Sequence, residues 1–120
     1  MKKNNNIFSI RNKVCIITGG CGGIGFALSK AIQQNGGKLI IIDQSIKKKL
    51  KIKNVEYYKC DLENKLETKI TFKKIFIKHK RIDCLINAIG ISIENSIKDS
   101  FEKNINTNLI AVYNSTLPVI

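Results

Sequence analysis

The sequence has no tryptophan, one proline and one methionine, and only nine acidic residues against 21 basic ones. It also has no long hydrophobic run, because uninterrupted apolar segments such as Leu39–Ile42 contain only a few residues. A membrane-spanning helix needs about 20 apolar residues, so helical membrane-spanning proteins are excluded. The basic start from Met1 to Asn6 is followed by no apolar core, which argues against a secretory signal. We therefore expect a soluble, cytoplasmic protein with no membrane partner.

Metal-binding and disulfide patterns are missing as well. The four cysteines form no C-x-x-C pair, and no cluster of carboxylates and histidine has the spacing of metal ligands. Cys21 lies in a glycine-rich segment, whereas Cys15, Cys60 and Cys84 lie in apolar, strand-like runs. We expect these three to be buried, reduced thiols, and we predict no metal site.

The 120 residues are 43% apolar and 25% charged, which suits one small domain. The net charge of +12 raises the hypothesis of a nucleic-acid partner. However, the only dense basic run is Lys47–Lys49 with Lys51 and Lys53, and it lacks the interleaved aromatic side chains of a base-stacking surface. A solvated, composition-driven charge is the better interpretation, so we expect no specific nucleic-acid partner.

Strands and helices alternate along the chain. Short apolar, β-branched runs predict four strands, at Lys13–Thr18, Lys38–Asp43, Val55–Lys59 and Arg81–Asn87. This order predicts an α/β domain with a parallel sheet, and right-handed crossovers leave few topologies for it. Residues 1–11 are expected to be a flexible extension, and residues 12–120 the folded domain.

Three helices are predicted from the spacing of apolar residues. The first has an apolar face made of Ile24, Ala27, Leu28, Ala31 and Ile32. The second covers Asn64–His79, with a packing stripe of Phe72, Ile75 and Phe76. The third begins near Asp99, with an inner face of Phe101, Ile105, Leu109, Val112 and Thr116.

The glycine-rich segment Thr18–Gly25 joins the first strand to the first helix. Glycines there allow a sharp turn and a close approach of the backbone to a pyrophosphate, which the N–H groups of the helix start can bind. A lone glycine-rich triad would be a weak signal, but here a strand precedes it and a helix follows it. The expected cofactor-binding residues of this segment are Gly19, Gly20, Gly23, Ile24 and Gly25.

Asp43 ends the second strand, 18 residues after Gly25. In a dinucleotide-binding fold a carboxylate at this position accepts hydrogen bonds from the ribose hydroxyls and repels a 2′-phosphate. This interpretation favours NAD over NADP as the cofactor, although the nearby Lys47–Lys49 would soften the repulsion.

These motifs resemble those of the short-chain dehydrogenase/reductase family. The segment TGGCGGIG at 18–25 is similar to the family fingerprint T-G-x-x-x-G-x-G, and Asp61-Leu62 resembles the Asp–hydrophobe pair at the family's adenine pocket. Asn87-Ala88-Ile89-Gly90 resembles the family's N-N-A-G segment, from which Ala88 and Ile89 depart. The segment from Asn106 to Leu109 resembles the helical N-x-N-L motif. Its second asparagine, Asn108, aligns with the family's catalytic asparagine, which binds a water in the proton relay.

The resemblance implies a Rossmann-type, doubly wound parallel sheet in three layers with the spatial strand order 3-2-1-4, in which the fourth strand is an edge. Residues 12–120 would then be an incomplete NAD(P)-binding domain that stops after the helix following this strand. The resemblance also implies an oxidoreductase that transfers a hydride between NAD and a secondary alcohol or ketone. It further implies that Asp61, Leu62, Asn87 and Gly90 bind the cofactor, and that the whole protein is a homodimer or tetramer. Several segments are also similar to those of NAD-dependent 15-hydroxyprostaglandin dehydrogenases and insect alcohol dehydrogenases within the family.

The family's catalytic serine and Tyr-x-x-x-Lys pair are missing from the sequence. Tyr57, Tyr58 and Tyr113 are each followed four residues later by a residue other than lysine. Because family members are about twice as long, the resemblance implies that this chain is the amino-terminal, cofactor-binding half and is inactive alone. The alternative is a non-catalytic nucleotide-binding fragment or pseudoenzyme.

Overall fold

A computed structural model describes residues 6–47, 51–91 and 97–120, with the side chains of residues 97–99 left out of the description. The four strands are β1 (Val14–Thr18), β2 (Lys38–Asp43), β3 (Glu56–Lys59) and β4 (Cys84–Asn87). The helices are α1 (Gly23–Gln34), α2 (Lys65–His79), α3 (Ile97–Ile105) and α4 (Ala111–Thr116). A π-helical turn, Asn106–Ile110, joins α3 to α4, and a 3₁₀ turn, Leu117–Val119, follows α4.

The strands form one parallel sheet in the order β3-β2-β1-β4. Strand β1 is buried along its whole length because apolar side chains alternate onto both faces of the sheet. One face packs against Ile32 of α1, and the other packs against Phe72 and Ile75 of α2 and Ala111 of α4. This arrangement confirms the Rossmann-type, three-layer α/β fold and its predicted strand order.

The predicted element boundaries are close to those in the structure. Strand β2 has the predicted bounds, and α2 begins one residue later than expected because Asn64 is its N-cap. The Asn64 side chain accepts a hydrogen bond from the N–H of Glu67 at 3.0 Å. Strand β4 begins at Cys84, three residues later than predicted.

The apolar face predicted for α1 is not the face that the helix buries. Ile24 is 76% exposed and Leu28 is 37% exposed, whereas Gly25 and Ser29 are buried together with Ile32. The cause is the close contact of Gly25 with the preceding turn, which fixes the rotation of the helix about its axis. The small residues therefore face inward, and most of the apolar stripe faces outward.

The inner face predicted for the last helix is also wrong. Phe101 and Leu109 are 70% and 57% exposed. The buried residues of this segment are small or polar: Ser100, Thr107, Ala111, Asn114 and Ser115. The π-helical turn changes the angular spacing of side chains here, so a regular period of 3.6 residues assigns the wrong face.

Two further side chains that the sequence predicts to be buried, Phe76 and Cys84, are exposed. Phe76 is 54% exposed, although it was predicted to belong to the packing stripe of α2. Cys84 is exposed rather than buried because it lies on β4, which is the edge of the described sheet. Cys15 and Cys60 are buried as expected, and no disulfide joins the four described cysteines. None of the described helices has the length and apolar character that crossing a membrane requires.

Ser29 of α1 provides a test of this packing. Its hydroxyl is fully buried and has no hydrogen-bond partner among the described residues. We expect Ser29→Ala to raise the free energy of unfolding by about 1 kcal/mol, because alanine removes an unpaired buried hydroxyl and favours the helix. Urea-induced unfolding measures the change.

Ser115→Ala is the matched control. Ser115 is equally buried, but its hydroxyl donates to the carbonyl of Ala111, so alanine there should bring no comparable gain. A loss of stability in Ser29→Ala would contradict the assignment of an unpaired hydroxyl.

Candidate active site: a cleft at the carboxyl ends of the strands

Three glycines of the turn between β1 and α1 leave no room for a side chain. Gly19 has a φ of +71°, and a Cβ there would lie 2.8 Å from the backbone of Ile89. A Cβ on Gly25 would lie 2.1 Å from the carbonyl oxygen of Gly19, and one on Gly20 would meet Ile41 at 2.7 Å. Gly23 differs from them, since a Cβ there would meet nothing within 4 Å.

The start of α1 is open to a ligand. Its N-cap, Gly22, has no side chain to accept a hydrogen bond from the first-turn N–H groups, and the first turn contains no acidic residue. Unpaired N–H groups and the helix dipole make such a terminus favourable for an anion.

Asp43 connects the end of β2 to the glycine turn. One carboxylate oxygen accepts a hydrogen bond from the N–H of Cys21 at 3.1 Å, and the other accepts one from the N–H of Ser45 at 3.0 Å. These bonds fix the orientation of the carboxylate, while each oxygen keeps a further lone pair for a ligand. Burial, together with the negative charge of Asp43, raises the pKa of the Cys21 thiol, which does not favour Cys21 as a nucleophile.

The loop after β3 holds Asp61 and Leu62 in different environments. Asp61 is exposed, and its carboxylate accepts a hydrogen bond from the N–H of Glu63 at 3.0 Å. Leu62 is 2% exposed and belongs to the core, so its side chain anchors the loop. The Glu63 carboxylate accepts hydrogen bonds from the hydroxyl of Thr107 and, at 2.9 Å, from the ammonium group of Lys103.

The side chain of Asn87, at the end of β4, makes a hydrogen bond inside the protein with each end of its amide. Its Oδ1 accepts a hydrogen bond from the Thr18 hydroxyl at 3.0 Å, and its Nδ2 donates to the Thr116 hydroxyl at 3.2 Å. The side chain therefore joins β1, β4 and α4. Gly90 follows three residues later, where a Cβ would lie 3.4 Å from Oδ1 of Asn108.

Asn108 lies in the π-helical turn and binds the loop after β4 with both ends of its amide. Its Oδ1 accepts a hydrogen bond from the N–H of Ile91 at 2.8 Å, and its Nδ2 donates to the carbonyl of Ile91 at 2.9 Å. π-helical turns occur frequently at functional sites.

Two adjoining cavities bring most of the predicted site residues together. The smaller one, of about 160 Å³, is lined by Gly19, Asp43, Asp61, Leu62 and Gly90, among others. The larger one, of about 520 Å³, is lined by Ile24, Asn87, Gly90 and Asn108, among others. Both cavities share the segment 88–91. Gly20, Gly23 and Gly25 do not line either cavity, and Gly20 and Gly25 shape the turn through packing instead.

The structure adds cleft residues that the sequence reasoning missed. Gln44, Glu63, Ile91 and Thr107 also line the cavities. Glu63 and Gln44 directly follow predicted site residues, so their position next to the motifs was the available signal. Ile91 likewise follows Gly90. Thr107 lies inside the N-x-N-L motif, but nothing in that motif predicts its bond to Glu63.

Parallel strands with a glycine turn and an acidic residue at their carboxyl ends define a dinucleotide-binding type of domain. The chain matches the short chain dehydrogenase family over residues 13–120. It belongs to that family, whose members are oxidoreductases.

Curated relatives agree with this assignment. The chain is 33% identical over 110 residues to an uncharacterized oxidoreductase of Saccharomyces cerevisiae, covering 86% of this chain and 36% of the yeast protein. It is 26% identical over 117 residues to the NAD(+) 15-hydroxyprostaglandin dehydrogenase of Homo sapiens, covering 89% of this chain and 42% of the human protein. The chain thus spans less than half the length of these relatives.

Solved structures share the fold. The dehydrogenase Cj0485 superposes with a TM-score of 0.78 at 36% identity, over 92% of this chain and 46% of that protein. ElxO with NADP bound has a TM-score of 0.81 at 27% identity, over 89% of this chain and 48% of ElxO. A Leptospira borgpetersenii short chain dehydrogenase with bound NAD+ has a TM-score of 0.80 at 26% identity, over 92% and 46% of the two chains. These similar structures thus include one with NADP bound and one with NAD+ bound.

The hydrogen bonds of the Glu63 carboxylate predict that the stability of the protein depends on pH. The hydrogen bonds from Thr107 and Lys103 lower the pKa of Glu63 below its ordinary value of 4.5. Folding therefore favours the charged carboxylate, and this stabilisation is present above the unfolded pKa and is lost as the pH falls through the lower, folded pKa. We expect the midpoint of thermal unfolding to fall more steeply below about pH 5 in the wild type than in Glu63→Gln. Parallel curves for the two proteins would contradict this role of the carboxylate.

Proposed function

We propose that the protein is an NAD-dependent oxidoreductase that transfers a hydride between the cofactor and a secondary alcohol or ketone. Residues 12–120 are proposed as the amino-terminal, cofactor-binding half of its domain, and residues 1–5 of the expected extension at 1–11 lie outside the described residues. One observation carries this proposal. The uncapped start of α1 lies behind a glycine turn that opens onto the same cleft as Asp43 and Gly90.

The pyrophosphate is proposed to bind at the start of α1. Gly22 gives the helix no side-chain cap, and Gly23 leaves open space where a larger residue would place a Cβ. Helix α2, by contrast, is capped by Asn64 and has Glu67 in its first turn, so its terminus is already neutralised. The proposed phosphate contacts are therefore the backbone N–H groups of Gly23, Ile24 and Gly25.

The adenosine ribose is proposed to bind Asp43, whose carboxylate is held in place by two backbone N–H groups. A 2′-phosphate next to this carboxylate would be repelled, so NAD is proposed in preference to NADP. Asp61 and Leu62 are proposed to border the adenine, since they follow β3, the strand next to β2.

The nicotinamide end is proposed to lie between Ile24, Gly90 and Asn108, which line the larger cavity. Bound NAD would supply the hydride acceptor there. Asn87 would support the cofactor by fixing the end of β4, and Asn108 is proposed as the catalytic asparagine. Since both ends of the Asn108 amide bind Ile91, it would serve a water-mediated proton relay by holding this turn in place.

The whole protein is proposed to act on a small alcohol or ketone, to form homodimers or tetramers and to be cytoplasmic. The lack of a Tyr-x-x-x-Lys pair in these 120 residues does not favour a non-catalytic fragment, because the chain spans less than half of its relatives' length. This half alone is expected to show no turnover.

Asp43→Asn tests the cofactor preference. Removing the charge takes away an acceptor for the ribose hydroxyls and the repulsion of a 2′-phosphate. Because a hydrogen bond to a charged group contributes about 1.5–3 kcal/mol, NAD affinity should fall by about tenfold or more. NADP affinity should stay the same or rise, and calorimetric titration with both cofactors measures this.

The NADP titration is the internal control in this experiment. If the substitution only disrupted the glycine turn, both affinities would fall together. If the unmodified protein bound neither cofactor, the proposed function would be wrong.

Gly23→Ala tests whether a phosphate group approaches the start of α1. Nothing in the fold occupies the space of the added methyl group, so stability should be unchanged or slightly higher. NAD affinity should fall by about tenfold, because the methyl group keeps the pyrophosphate away from the backbone. Gly25→Ala is the contrasting variant, since its Cβ would collide with Gly19 and lower the thermal midpoint. Unchanged NAD affinity in Gly23→Ala would argue against this phosphate position.

A further inference from the structure

Asn114 of α4 is a buried polar residue that the proposed cofactor contacts do not use. It is 5% exposed, and its Nδ2 donates to the carbonyl oxygens of Leu62 at 2.9 Å and Glu63 at 3.3 Å. These partners lie 52 and 51 residues earlier in the chain. The amide therefore holds together two segments that are distant in sequence.

The two carbonyls belong to the loop that joins β3 to α2 and carries Asp61 into the cleft. The Asp61 side chain bonds within this loop, and Glu67 of the first turn of α2 bonds to its backbone, so these local contacts fix its internal shape. Its position relative to the rest of the cleft depends on the buried Leu62 side chain and on hydrogen bonds to the last helical segment. Asn114 binds its backbone, while Thr107 and Lys103 bind the Glu63 side chain.

The same helical segment also holds the opposite wall of the cleft. Asn108 binds the backbone of Ile91, six residues before Asn114 binds the backbone of Leu62. The segment from the π-helical turn to α4 thus contacts the loop after β3 and the loop after β4. A shift of either contact would change the width of the cleft between them.

Within the cleft, the loop after β3 lies on the side of Asp43. The order of strands places β3 next to β2 and away from β4, and Asp43 is the residue proposed to bind the adenosine ribose. The loop after β3 lies beyond Asp43 as seen from the glycine turn. In the proposed arrangement it therefore lies next to the adenine half of a bound dinucleotide.

We propose that Asn114 is a positioning residue for the adenine half of the nucleotide site, because it fixes the backbone of Leu62 and Glu63 and thereby the place of Asp61. This inference rests on the proposed function. Asn114 touches no part of the cofactor in this assignment, and it acts only through the loop. A buried amide with two carbonyl partners is costly to replace by an apolar residue, since the Glu63 carbonyl then loses this donor and the Leu62 carbonyl keeps only the longer bond from the Thr68 hydroxyl, at 3.4 Å.

Asn114→Ala in the full chain tests the inference with ADP-ribose, a ligand that contains the adenine half and lacks nicotinamide. We expect its dissociation constant to rise by about tenfold, measured by calorimetric titration. Amide hydrogen exchange at Leu62 and Glu63 should become faster relative to that of β1. Where Asn114→Ala folds poorly, Asn114→Ser keeps a smaller polar side chain and should show the same change in a weaker form.

Ser115→Ala is the matched control, because Ser115 is buried on the same helix and its hydroxyl bonds only within that helix. Its ADP-ribose affinity should stay within about twofold of the wild type, even where its thermal midpoint falls. A general loss of stability would weaken binding in both variants alike, and this result would overturn the positioning role.

The outcomes separate this inference from the proposed function. Equal ADP-ribose affinity in the wild type and both Asn114 variants would overturn the inference and leave the proposed function standing. Failure of the unmodified protein to bind ADP-ribose or NAD would overturn the proposed function and this inference with it.

Discussion

The arrangement of the cleft depends on the close contact between Gly25 and the carbonyl of Gly19. A Cβ at residue 25 would lie 2.1 Å from that oxygen, so only glycine lets α1 begin where it does. This contact fixes the rotation of α1, which buries Gly25 and Ser29 and leaves Ile24 at the edge of the larger cavity. The start of the helix has no side-chain cap because its N-cap residue is Gly22.

The opposite side of the cleft is held by a different kind of interaction. Side-chain amides of the last helical segment bind backbone groups of two loops, as Asn108 does at Ile91 and Asn114 does at Leu62. The close contact between Gly25 and Gly19 leaves no space for an added atom. The hydrogen bonds instead require a particular donor or acceptor at a fixed distance. The glycine turn therefore fixes the side of the cleft at the start of α1 by steric exclusion, and the helical segment fixes its outer walls by directional bonds.

Much of the fold could be predicted from the sequence because its signals are local. The bounds of β2 can be recognised from a continuous apolar run in the sequence, and the glycine turn follows β1 directly. The faces of α1 and of the last helical segment could not be predicted, since the inner residues there are small or polar. Gly25 and Asn114 are buried for steric and hydrogen-bonding reasons that a hydrophobic pattern does not detect. The contacts of Asn114 also join residues about 50 positions apart, which no local pattern records.

The inward polar face of the last helical segment has a consequence for its other face. Thr107, Asn114 and Ser115 face inward, and several large apolar side chains of the segment are exposed. Exposed ones include Phe101, Leu109, Tyr113 and Leu117. Burial of exposed apolar side chains against a further surface is favourable. The polar bonds that shape the cleft and these exposed apolar side chains thus belong to the same helical segment.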